Sequence, residues 1–240
     1  MRFVPIKTID QLDLQALHRV RDRLVRRRTG VINQIRAFLL ERGITPRTGR
    51  LYLRRQMPWM LGEDGGGLSE RIRRILHDLW REWQQLEDEI TKITTEIEQI
   101  AKSDDACGRL MSVPGVGPIV ATALIAAIGD GTGFRCGRDL AAWLGLVPRQ
   151  HSTGGKPKLL GVSKRGNPYV RRLFIQGAHA VLVRKRRETR SIDLWTDRLA
   201  TRAHRNVVAV ALANKLARIA WAVLAKRGLY PEQIAATPAA

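Results

Sequence analysis

Cysteine is scarce in this sequence: Cys107 and Cys136 are the only two among 240 residues, and neither belongs to a CxxC or Cys/His ligand spacing. Such usage fits a reducing cytoplasm and argues against structural zinc. Aromatic residues make up only 5% of the chain, which disfavours a protein that stacks the bases of a single strand on its side chains. We find neither a signal peptide nor an apolar run long enough to span a bilayer, so we expect a cytoplasmic protein without a membrane partner.

Acidic residues are also few. There are 22 Asp and Glu against 42 Lys and Arg, which leaves a formal net charge of +20. Folding does not need such an excess, since it destabilises a compact chain by self-repulsion. It indicates a polyanionic partner, most simply a nucleic acid. The hydrophobic content of 44% is that of a globular protein, and the length allows one or two domains.

A long helix is predicted from Asp10 onward. Leu17, Leu24, Val31 and Phe38 recur every seven residues, a periodicity typical of an amphipathic helix. Further apolar residues fill the same face: Leu14, Val20 and Ile35. The opposite face is rich in arginine and is either a solvated polar face or a phosphate-binding face; because one sign of charge dominates, we favour phosphate contact. Its arginines are Arg19, Arg21, Arg23, Arg26, Arg27, Arg28 and Arg36.

A second periodic segment predicts a coiled-coil helix over residues 68–102, because apolar residues alternate there in steps of four and three. The seam residues are Ile72, Leu76, Leu79, Trp83, Leu86, Ile90, Ile93, Ile97 and Ile100. Its partner is either the first helix, folded back as a hairpin, or the same helix of another subunit, and we expect a homo-oligomer formed through this coiled coil. Between the two helices we expect Gly43 just past the first helix, a short helix near Leu51–Leu61 and a hinge near residues 62–67.

Residues 110–129 follow the helix-hairpin-helix pattern, in which two apolar helices flank a Pro-Gly-x-Gly turn. Gly115 and Gly117 allow the tight turn and leave amide N–H groups open at the start of the second helix, where they can hold an anion. The functional interpretation is sequence-neutral contact with a DNA backbone. The alternative is a helical corner in which the glycines only permit close packing.

The segment 148–167 is broken by Gly and Pro residues, which excludes a long helix or a central strand. Two parts of it, Pro148–His151 and Lys158–Gly161, are predicted to pair as a small hairpin around Gly154 and Gly155.

Ser152 lies in this segment beside flexible glycines and among cationic residues. A hydroxyl in such surroundings is a candidate nucleophile toward a phosphodiester, although Ser-Thr-Gly-Gly is also a common turn sequence. The adjacent His151 is a candidate general base. No acidic residue occurs between positions 149 and 172, and the cations of this stretch are candidate nucleic-acid-binding residues: Arg149, Lys156, Lys158, Lys164, Arg165, Arg171 and Arg172.

The predicted fold is mostly α. Long coiled-coil helices occupy residues 1–104, a helical domain with the helix-hairpin-helix and a small Gly-rich loop or β-hairpin occupies 105–230, and a flexible tail occupies 231–240. Within the second domain, Asn167 and Pro168 begin a helix that runs to about Val183. We also expect a short helix with Leu140, Trp143, Leu144 and Leu146 packed inward. A core helix is expected from about Arg205 to Arg227, ended by Gly228. Its apolar residues are Val207, Val210, Leu212, Leu216, Ile219, Trp221 and Leu224.

Three motifs together resemble the C-terminal half of transposases of the insertion sequence 110/116 family. They are Ser112-Val-Pro-Gly-Val-Gly-Pro, then Leu140-Ala-Ala-Trp-Leu-Gly-Leu-Val-Pro-Arg-Gln-His-Ser-Thr-Gly-Gly-Lys, and finally Leu160-Gly-Val-Ser-Lys-Arg-Gly-Asn. Phe3-Val-Pro-Ile-Lys, Asn33-Gln-Ile-Arg and Asn214-Lys-Leu-Ala-Arg-Ile-Ala-Trp look similar too. The resemblance therefore covers nearly the whole chain.

This resemblance implies a DNA recombinase that mobilises its own element, located in a bacterial cytoplasm and associated with the nucleoid. Members of the family combine an N-terminal RNase H-like domain of the RuvC type, a coiled coil and a mostly helical transposase domain. The first supplies four acidic residues that hold magnesium, and the last supplies a catalytic serine that matches Ser152 here. Some members use a structured RNA from the end of the element to choose DNA, so the expected partners are DNA and such an RNA.

The acidic N-terminal domain of the family has no counterpart in this sequence, which resembles the family from the end of that domain onward. The remaining acids, such as Asp104, Asp105 and Asp130, look like helix caps or turn residues and form no two-metal cluster. We therefore expect no cofactor bound by this chain, and Mg²⁺ only together with the missing domain. The chain alone is expected to bind DNA and to be inactive or poorly active. The alternative is a non-catalytic DNA- or RNA-binding remnant, or a regulator of full-length transposase.

Overall fold

The first helix, α1 (Ile9–Leu40), has a reciprocal cap at its start. The backbone N–H of Thr8 donates to Gln11 Oε1 at 3.1 Å, and the N–H of Gln11 donates to Thr8 Oγ1 at 3.2 Å. At the other end Gly43 has a φ of 73°, and its N–H closes the last turn on the carbonyl of Leu40 at 2.9 Å. Both the long helix and its terminal glycine are as predicted.

The computed structural model describes residues 6–62, 67–184 and 190–231, which form helices and one two-stranded sheet. This confirms the predicted mostly α fold. The predicted tail at 231–240, apart from Pro231, and most of the predicted hinge at 62–67 lie outside the described residues. After α1 come α2 (Arg50–Leu61), α3 (Glu70–Ser103), α4 (Asp105–Met111), α5 (Pro118–Ile128), α6 (Gly137–Trp143), β1 (Pro148–Thr153), β2 (Lys156–Val162), α7 (Pro168–Val183), α8 (Arg190–Ala200) and α9 (Arg205–Lys226), of which α8 had not been foreseen.

The chain divides into two compact units. The coiled-coil unit runs from Ala16 to Glu96, and the hairpin unit comprises the residues up to Gln15 and those from Ile97 onward. Helices α1 and α3 contribute residues to both units. The domain division expected from the sequence, at residues 104 and 105, stays a prediction.

The seam of α3 is buried inside this chain. Leu76 and Trp83 of α3 are almost fully buried, in one cluster with Ile35 and Leu39 of α1 and Leu53 of α2. Of the two partners considered for the seam, the structure therefore shows α1 of the same chain, together with α2. A homo-oligomer formed through the coiled coil stays a prediction.

The arginine face of α1 is used largely within the coiled-coil unit. Arg27 pairs with Glu82 at 2.9 Å, and Arg28 pairs with Glu87 at 3.1 Å, both across to α3. Three further arginines have internal partners: Arg21 donates to Thr94, Arg26 pairs with Asp22, and Arg36 donates to the carbonyl of Gly49. Partners within the chain therefore account for the positions of these five arginines, two of them through acids of α3, and their phosphate contact stays a prediction.

One of these acids, Glu87, is shared by several donors. Its carboxylate accepts a hydrogen bond from Trp83 Nε1 at 3.1 Å and pairs with Arg28 and Arg50. Burial raises the pKa of Glu87, but the Trp83 hydrogen bond and the two guanidinium charges outweigh burial and hold the pKa below its usual value. The carboxylate thus stays charged and ties α1 and α2 to α3.

His18, rather than Val20, lies on the buried face of α1. Val20 is 38% exposed, so its predicted position on the apolar face of the helix was wrong. His18 is only 3% exposed. Burial, and secondarily the charge of Arg21, lowers the pKa of His18 from 6.5 to about 4. The folded state therefore holds His18 neutral at pH values where the unfolded chain is protonated.

This difference predicts acid sensitivity of the coiled-coil unit. As pH falls from about 6.5 to about 4, the unfolded chain binds the extra proton and the free energy of unfolding decreases, at about 1.4 kcal/mol per unit of pKa difference. Urea unfolding measured across this range should show the loss, and His18→Gln should remove it. His77→Gln, at an exposed position of α3, serves as control; equal flattening by both substitutions would contradict the assignment to His18.

The core of the hairpin unit is built around α9. Leu212 and Leu216 of α9 are fully buried in a cluster with Phe174 of α7, Leu140 of α6 and Leu144 just after α6. Leu146 is buried as predicted too. Trp143 is 38% exposed and lies edge-on against Phe134, with ring centroids 5.7 Å apart. The prediction that Trp143 packs inward was therefore wrong.

Helix α9 confirms the predicted core helix, with two corrections. Val207 is 55% exposed, and the residue that ends the helix in a left-handed conformation is Arg227, with a φ of 51°, rather than Gly228. Among the described residues α9 is the one helix whose length and composition would suffice to cross a membrane, which corrects the expectation that no apolar run reaches that length. Half of its apolar window is buried in the protein, and core helices pass the same test.

Candidate functional site

The segment around Ser152 forms the predicted β-hairpin, in which β1 pairs antiparallel with β2. The pairing is longer than predicted and extends from Pro148 opposite Val162 to Thr153 opposite Lys156, with one irregularity near Pro148. The two connecting glycines, at positions 154 and 155, both have positive φ, of 56° and 74°. Two left-handed residues in a two-residue loop give the turn whose twist matches a hairpin, and glycine adopts it without strain. All six β1 side chains are exposed.

The hydroxyl of Ser152 accepts a hydrogen bond from the side chain two residues before it. Gln150 Nε2 donates to Ser152 Oγ at 2.8 Å, which is possible because residues two apart lie on the same face of a strand. Gln150 was not among the predicted site residues. Its position two residues before the serine in a predicted strand was the signal that could have singled it out.

The hairpin register separates Ser152 from its candidate base and from two of the candidate nucleic-acid-binding lysines. Directly paired residues share a face, so Ser152 lies on one face with Pro157, while His151 lies on the other with Lys158. Lys156, opposite Thr153, also belongs to the His151 face. Strand alternation thus directs the candidate base and both lysines away from the serine face. The hydrogen bond of Ser152 within the described part of the chain is to an amide, not to a titratable base.

The base of the hairpin is fixed to the loop after α6 by backbone contacts. The N–H of Ser163 donates to Val147 O at 2.8 Å, and that of Lys164 to Gly145 O at 3.3 Å. Gly166 has a φ of 75°, and a Cβ there would overlap the carbonyl oxygen of Trp143. The glycines at 145 and 166 therefore allow two backbone segments to touch where no side chain fits.

Arg171 is part of this anchorage. One guanidinium nitrogen of Arg171 donates to Leu144 O at 3.0 Å and to Arg165 O at 2.8 Å. Because its hydrogen bonds hold the two loop segments together, a structural role accounts for its position, and its predicted nucleic-acid contact stays a prediction. Arg172 lies over the ring of Tyr169, 5.3 Å from the centroid.

The start of α7 is as predicted. The side chain of Asn167 accepts hydrogen bonds from the N–H groups of Tyr169 and Val170, at 3.0 and 3.2 Å, and Pro168 is the first helical residue. This cap fixes the direction in which the chain leaves the hairpin.

The turn between α4 and α5 contains the two predicted glycines in different roles. Gly115 has a φ of 77°, and a Cβ there would lie 2.7 Å from the carbonyl oxygen of Gly177 on α7. Close packing therefore accounts for Gly115. Gly117 is the N-cap of α5, without a side-chain cap and with open space where a Cβ would stand. Its predicted anion contact stays a prediction that the open geometry permits.

The hairpin and the residues that follow it carry exposed cations without acids among them, a set that we call the cationic hairpin. Its members are Arg149, Lys156, Lys158, Lys164 and Arg165, all exposed, and none pairs with a carboxylate within residues 6–62, 67–184 and 190–231. An exposed set of unpaired cations without acids is the arrangement that binds phosphates.

Two acids of the hairpin unit are engaged in local structure. Asp104 caps α4 by accepting from the N–H of Cys107 at 2.7 Å, and Asp130 accepts from the hydroxyl of Thr132 at 2.7 Å. Both thus act as the caps and turn residues that the sequence predicted. Within the portion of the chain that the structure describes, no group of three or more His, Cys, Asp or Glu is arranged to hold a metal ion. The donors present there do not fit Mg²⁺.

Comparison with known proteins identifies relatives over most of the chain. Residues 107–192 match the family described as Transposase IS116/IS110/IS902 family. The transposase for insertion sequence element IS1111A of Coxiella burnetii is 43% identical over 230 residues, which are 96% of this chain and 63% of that protein. A probable family 20 transposase of Pseudomonas aeruginosa is 44% identical over 231 residues, 96% of this chain and 68% of its own.

A third relative has a similar extent. The transposase for insertion sequence element IS1328 of Yersinia enterocolitica is 42% identical over 223 residues, 93% of this chain and 66% of its own length. The chain thus spans about two thirds of the length of these relatives. These relatives are more than 40% identical to the chain across nearly its whole length, and residues 107–192 match the family. The chain therefore belongs to the IS116/IS110/IS902 family of insertion-sequence transposases.

Proposed function

We propose that this chain is the serine-bearing, DNA-binding part of an insertion-sequence transposase, and that Ser152 is the nucleophile with which the enzyme cleaves and rejoins DNA strands. The observation that carries the proposal is the placement of Ser152 on an exposed, acid-free cationic hairpin. Membership of a transposase family supports DNA as the substrate. Such a hairpin presents a hydroxyl to a phosphodiester that its own cations attract.

In the proposed reaction, Ser152 Oγ attacks a DNA phosphorus. The Oγ–P bond forms, the bond from phosphorus to the 3′ oxygen breaks, the serine proton passes to a base, and the leaving 3′ oxygen takes up a proton. The phosphoserine link conserves the energy of the phosphodiester, so rejoining needs no nucleotide cofactor. Each step exchanges one P–O bond for another.

Gln150 serves this chemistry as a positioning residue. Its amide occupies one lone pair of Ser152 Oγ at 2.8 Å and so orients the remaining lone pair and the hydroxyl proton. An amide cannot accept the proton at neutral pH, and His151 lies on the opposite face of the hairpin. A serine hydroxyl without a base is a weak nucleophile. The proton acceptor and the stabilisation of the phosphorane are therefore supplied from outside the serine face.

The cations contribute binding rather than direct stabilisation. Lys156 and Lys158 lie on the face opposite Ser152, and Lys164 follows the end of β2. Pro148, paired with Val162 at that end, is four residues from the serine, about 13 Å along an extended strand. We therefore propose that the chain alone binds DNA and reacts poorly. In the family, the acidic domain would bring Mg²⁺, which stabilises charge on transferring phosphoryl groups.

A suicide substrate tests the serine with the chain alone. DNA from the ends of the element, carrying sulfur in place of the bridging 3′ oxygen, has a leaving group that departs without a proton. We expect little adduct with ordinary DNA, more with the sulfur substrate, none with Ser152→Ala, and roughly severalfold less with Gln150→Ala, the loss of one hydrogen bond. Denaturing gels and mass spectrometry of the modified peptide measure the yield.

Thr153→Ala is the matched control, because Thr153 carries a neighbouring hydroxyl on the opposite face of the hairpin. An adduct that survives Ser152→Ala would remove Ser152 from the mechanism. Robust cleavage of ordinary DNA would show that the chain needs no further domain. DNA binding with no serine-dependent adduct on either substrate would instead support the second candidate function, a non-catalytic DNA- or RNA-binding regulator, which the amide partner of Ser152 favours.

The proposal extends to a second nucleic-acid partner and to a location in the cell. A structured RNA, like DNA, would bind the cationic hairpin through its phosphates. A location in the bacterial cytoplasm at the nucleoid follows from DNA as the substrate. Binding assays with duplex DNA and with RNA from the end of the element distinguish the two partners.

A further inference from the structure

The hairpin unit contains a large groove that the proposed reaction does not use. It has a volume of about 1190 Å³ and lies among α6, the base of the hairpin, α8 and α9. Pockets for small organic groups usually have about 300–1,000 Å³. The groove therefore has room for a ligand of at least that size.

The floor of the groove is mainly apolar. Val210 and Ala211 of α9, with Leu160 and Val162 of β2, contribute aliphatic surface, and Trp195 of α8 adds an aromatic ring. Leu160 is 42% exposed. Apolar surface left open to water at this site indicates an occupant with apolar faces of its own.

The rim of the groove is cationic. Arg138, Arg218 and Lys226 are exposed, and none of the three has a carboxylate partner within the parts of the chain that the structure describes. Lys215 lies over the Trp195 ring, 4.6 Å from its centroid. No Asp or Glu among the described residues lines the groove. Charge complementarity therefore selects an anionic occupant.

Two amide side chains add hydrogen-bonding capacity. Asn206 and Asn214 both line the groove, and Asn214 Nδ2 donates to the carbonyl of Leu146 at 3.2 Å, which leaves its Oδ1 as an acceptor. Amides beside apolar surface match the edge and the faces of a nucleobase, while the cationic rim matches its phosphates. A fully paired duplex hides the faces of its bases and cannot fill such a floor.

The groove is also close to the proposed nucleophile along the chain. Pro148 lines the groove and begins β1, four residues before Ser152. That separation is about 13 Å in an extended strand, equal to roughly four nucleotide steps of about 3.4 Å in duplex DNA. A nucleic acid with a phosphate at Ser152 would thus pass over the groove with its neighbouring nucleotides.

We propose that this groove binds unpaired nucleotides of the DNA that flanks the phosphate at Ser152, with their bases on the apolar floor and their phosphates on the cationic rim. The inference rests on the proposed function, whose substrate strand it extends. An acidic peptide with apolar side chains is the competing occupant, and the presence of two amides favours the nucleotide.

Fluorescence anisotropy with the whole chain tests the groove. The probes are one labelled duplex, fully paired, and the same duplex with a short unpaired bulge. We expect the bulged probe to bind about tenfold more tightly, the scale of one stacked base. Ala211→Trp fills the groove and should abolish this preference without changing binding of the paired probe. Ala225→Trp, at an exposed position of α9 that does not line the groove, should preserve it.

Equal affinity for the two probes, or a preference that survives Ala211→Trp, would overturn the inference. So would an acidic, leucine-containing peptide that binds with an Ala211→Trp-sensitive affinity while bulged DNA shows none. Ser152→Ala should keep the preference for the bulge. If the wild-type chain prefers the bulge but gives no serine-dependent adduct, the result counts against the nucleophile alone, and an adduct without the preference counts against the groove alone. Circular dichroism spectra that match the wild type establish that the variants fold.

Discussion

Raising the salt concentration from 50 to 200 mM will weaken binding of this chain to duplex DNA by roughly 500-fold. The cationic hairpin provides five exposed cations, at positions 149, 156, 158, 164 and 165, without acids among them. Each phosphate that they neutralise releases condensed counterions, so the logarithm of affinity falls against the logarithm of salt with a slope of about −0.9 per contact. Five contacts give a slope of roughly −4.5.

Substitutions should change that slope in steps. Lys156→Gln together with Lys158→Gln should make it shallower by about 2 and weaken binding similarly for unrelated DNA sequences. Arg26→Gln is the control, because Arg26 is exposed but paired with Asp22 at 2.7 Å in the coiled-coil unit; it should leave the slope near the wild-type value. A flat salt profile of the wild type would contradict every nucleic-acid interpretation of this chain. Anisotropy titrations at several salt concentrations give the measurement.

Gly166→Ala will destabilise the hairpin unit by more than about 3 kcal/mol, at the severe end of single substitutions. The backbone of Gly166 has a φ of 75°, where any Cβ is strained, and the new Cβ would overlap the carbonyl oxygen of Trp143. The partner atom belongs to the backbone of the α6 end, which no side-chain rotation can move. Thermal unfolding should shift down by roughly 6–12 °C for a unit of this size.

Gly161→Ala is the matched control for that experiment. Gly161 lies in β2 of the same hairpin, and an added Cβ there meets no atom within 4 Å. Its unfolding temperature should stay near the wild-type value. If Gly166→Ala unfolds at the wild-type temperature as well, the contact between the two backbone segments does not hold the hairpin. DNA binding should weaken with Gly166→Ala, since the cationic hairpin then loses its fixed base.

Predictions from local sequence signals were confirmed at two helix ends. Gly43 and the Asn167-Pro168 pair determine these ends through hydrogen bonds within a few residues. The apolar periodicity indicated the long helices, and the turn at Gly154 and Gly155 indicated the hairpin. Helix α8 was missed although Ile192 and Thr196, one turn apart, are buried.

The candidate site was predicted less completely. Ser152 and the five exposed cations could be identified as candidates from the sequence, because their segment contains no acidic residue. The side of the hairpin on which each residue lies depends on register, and register depends on the turn at Gly154 and Gly155 and on cross-strand pairs. Gln150, the partner of the serine hydroxyl, appears only once that register is known.

The amino-acid sequence by itself determined most of the helices, the hairpin, the basic excess and, through its motifs, the family, because each depends on neighbours along the chain or on composition. The tertiary structure alone decided where charges and open surfaces lie. It paired Arg27 and Arg28 with α3 acids more than fifty residues away, bound Arg171 to two backbone carbonyls, and left a cation-rimmed apolar groove beside α9. An arginine binds whichever acceptor the fold brings within about 3 Å, and that distance is set by packing between segments remote in sequence.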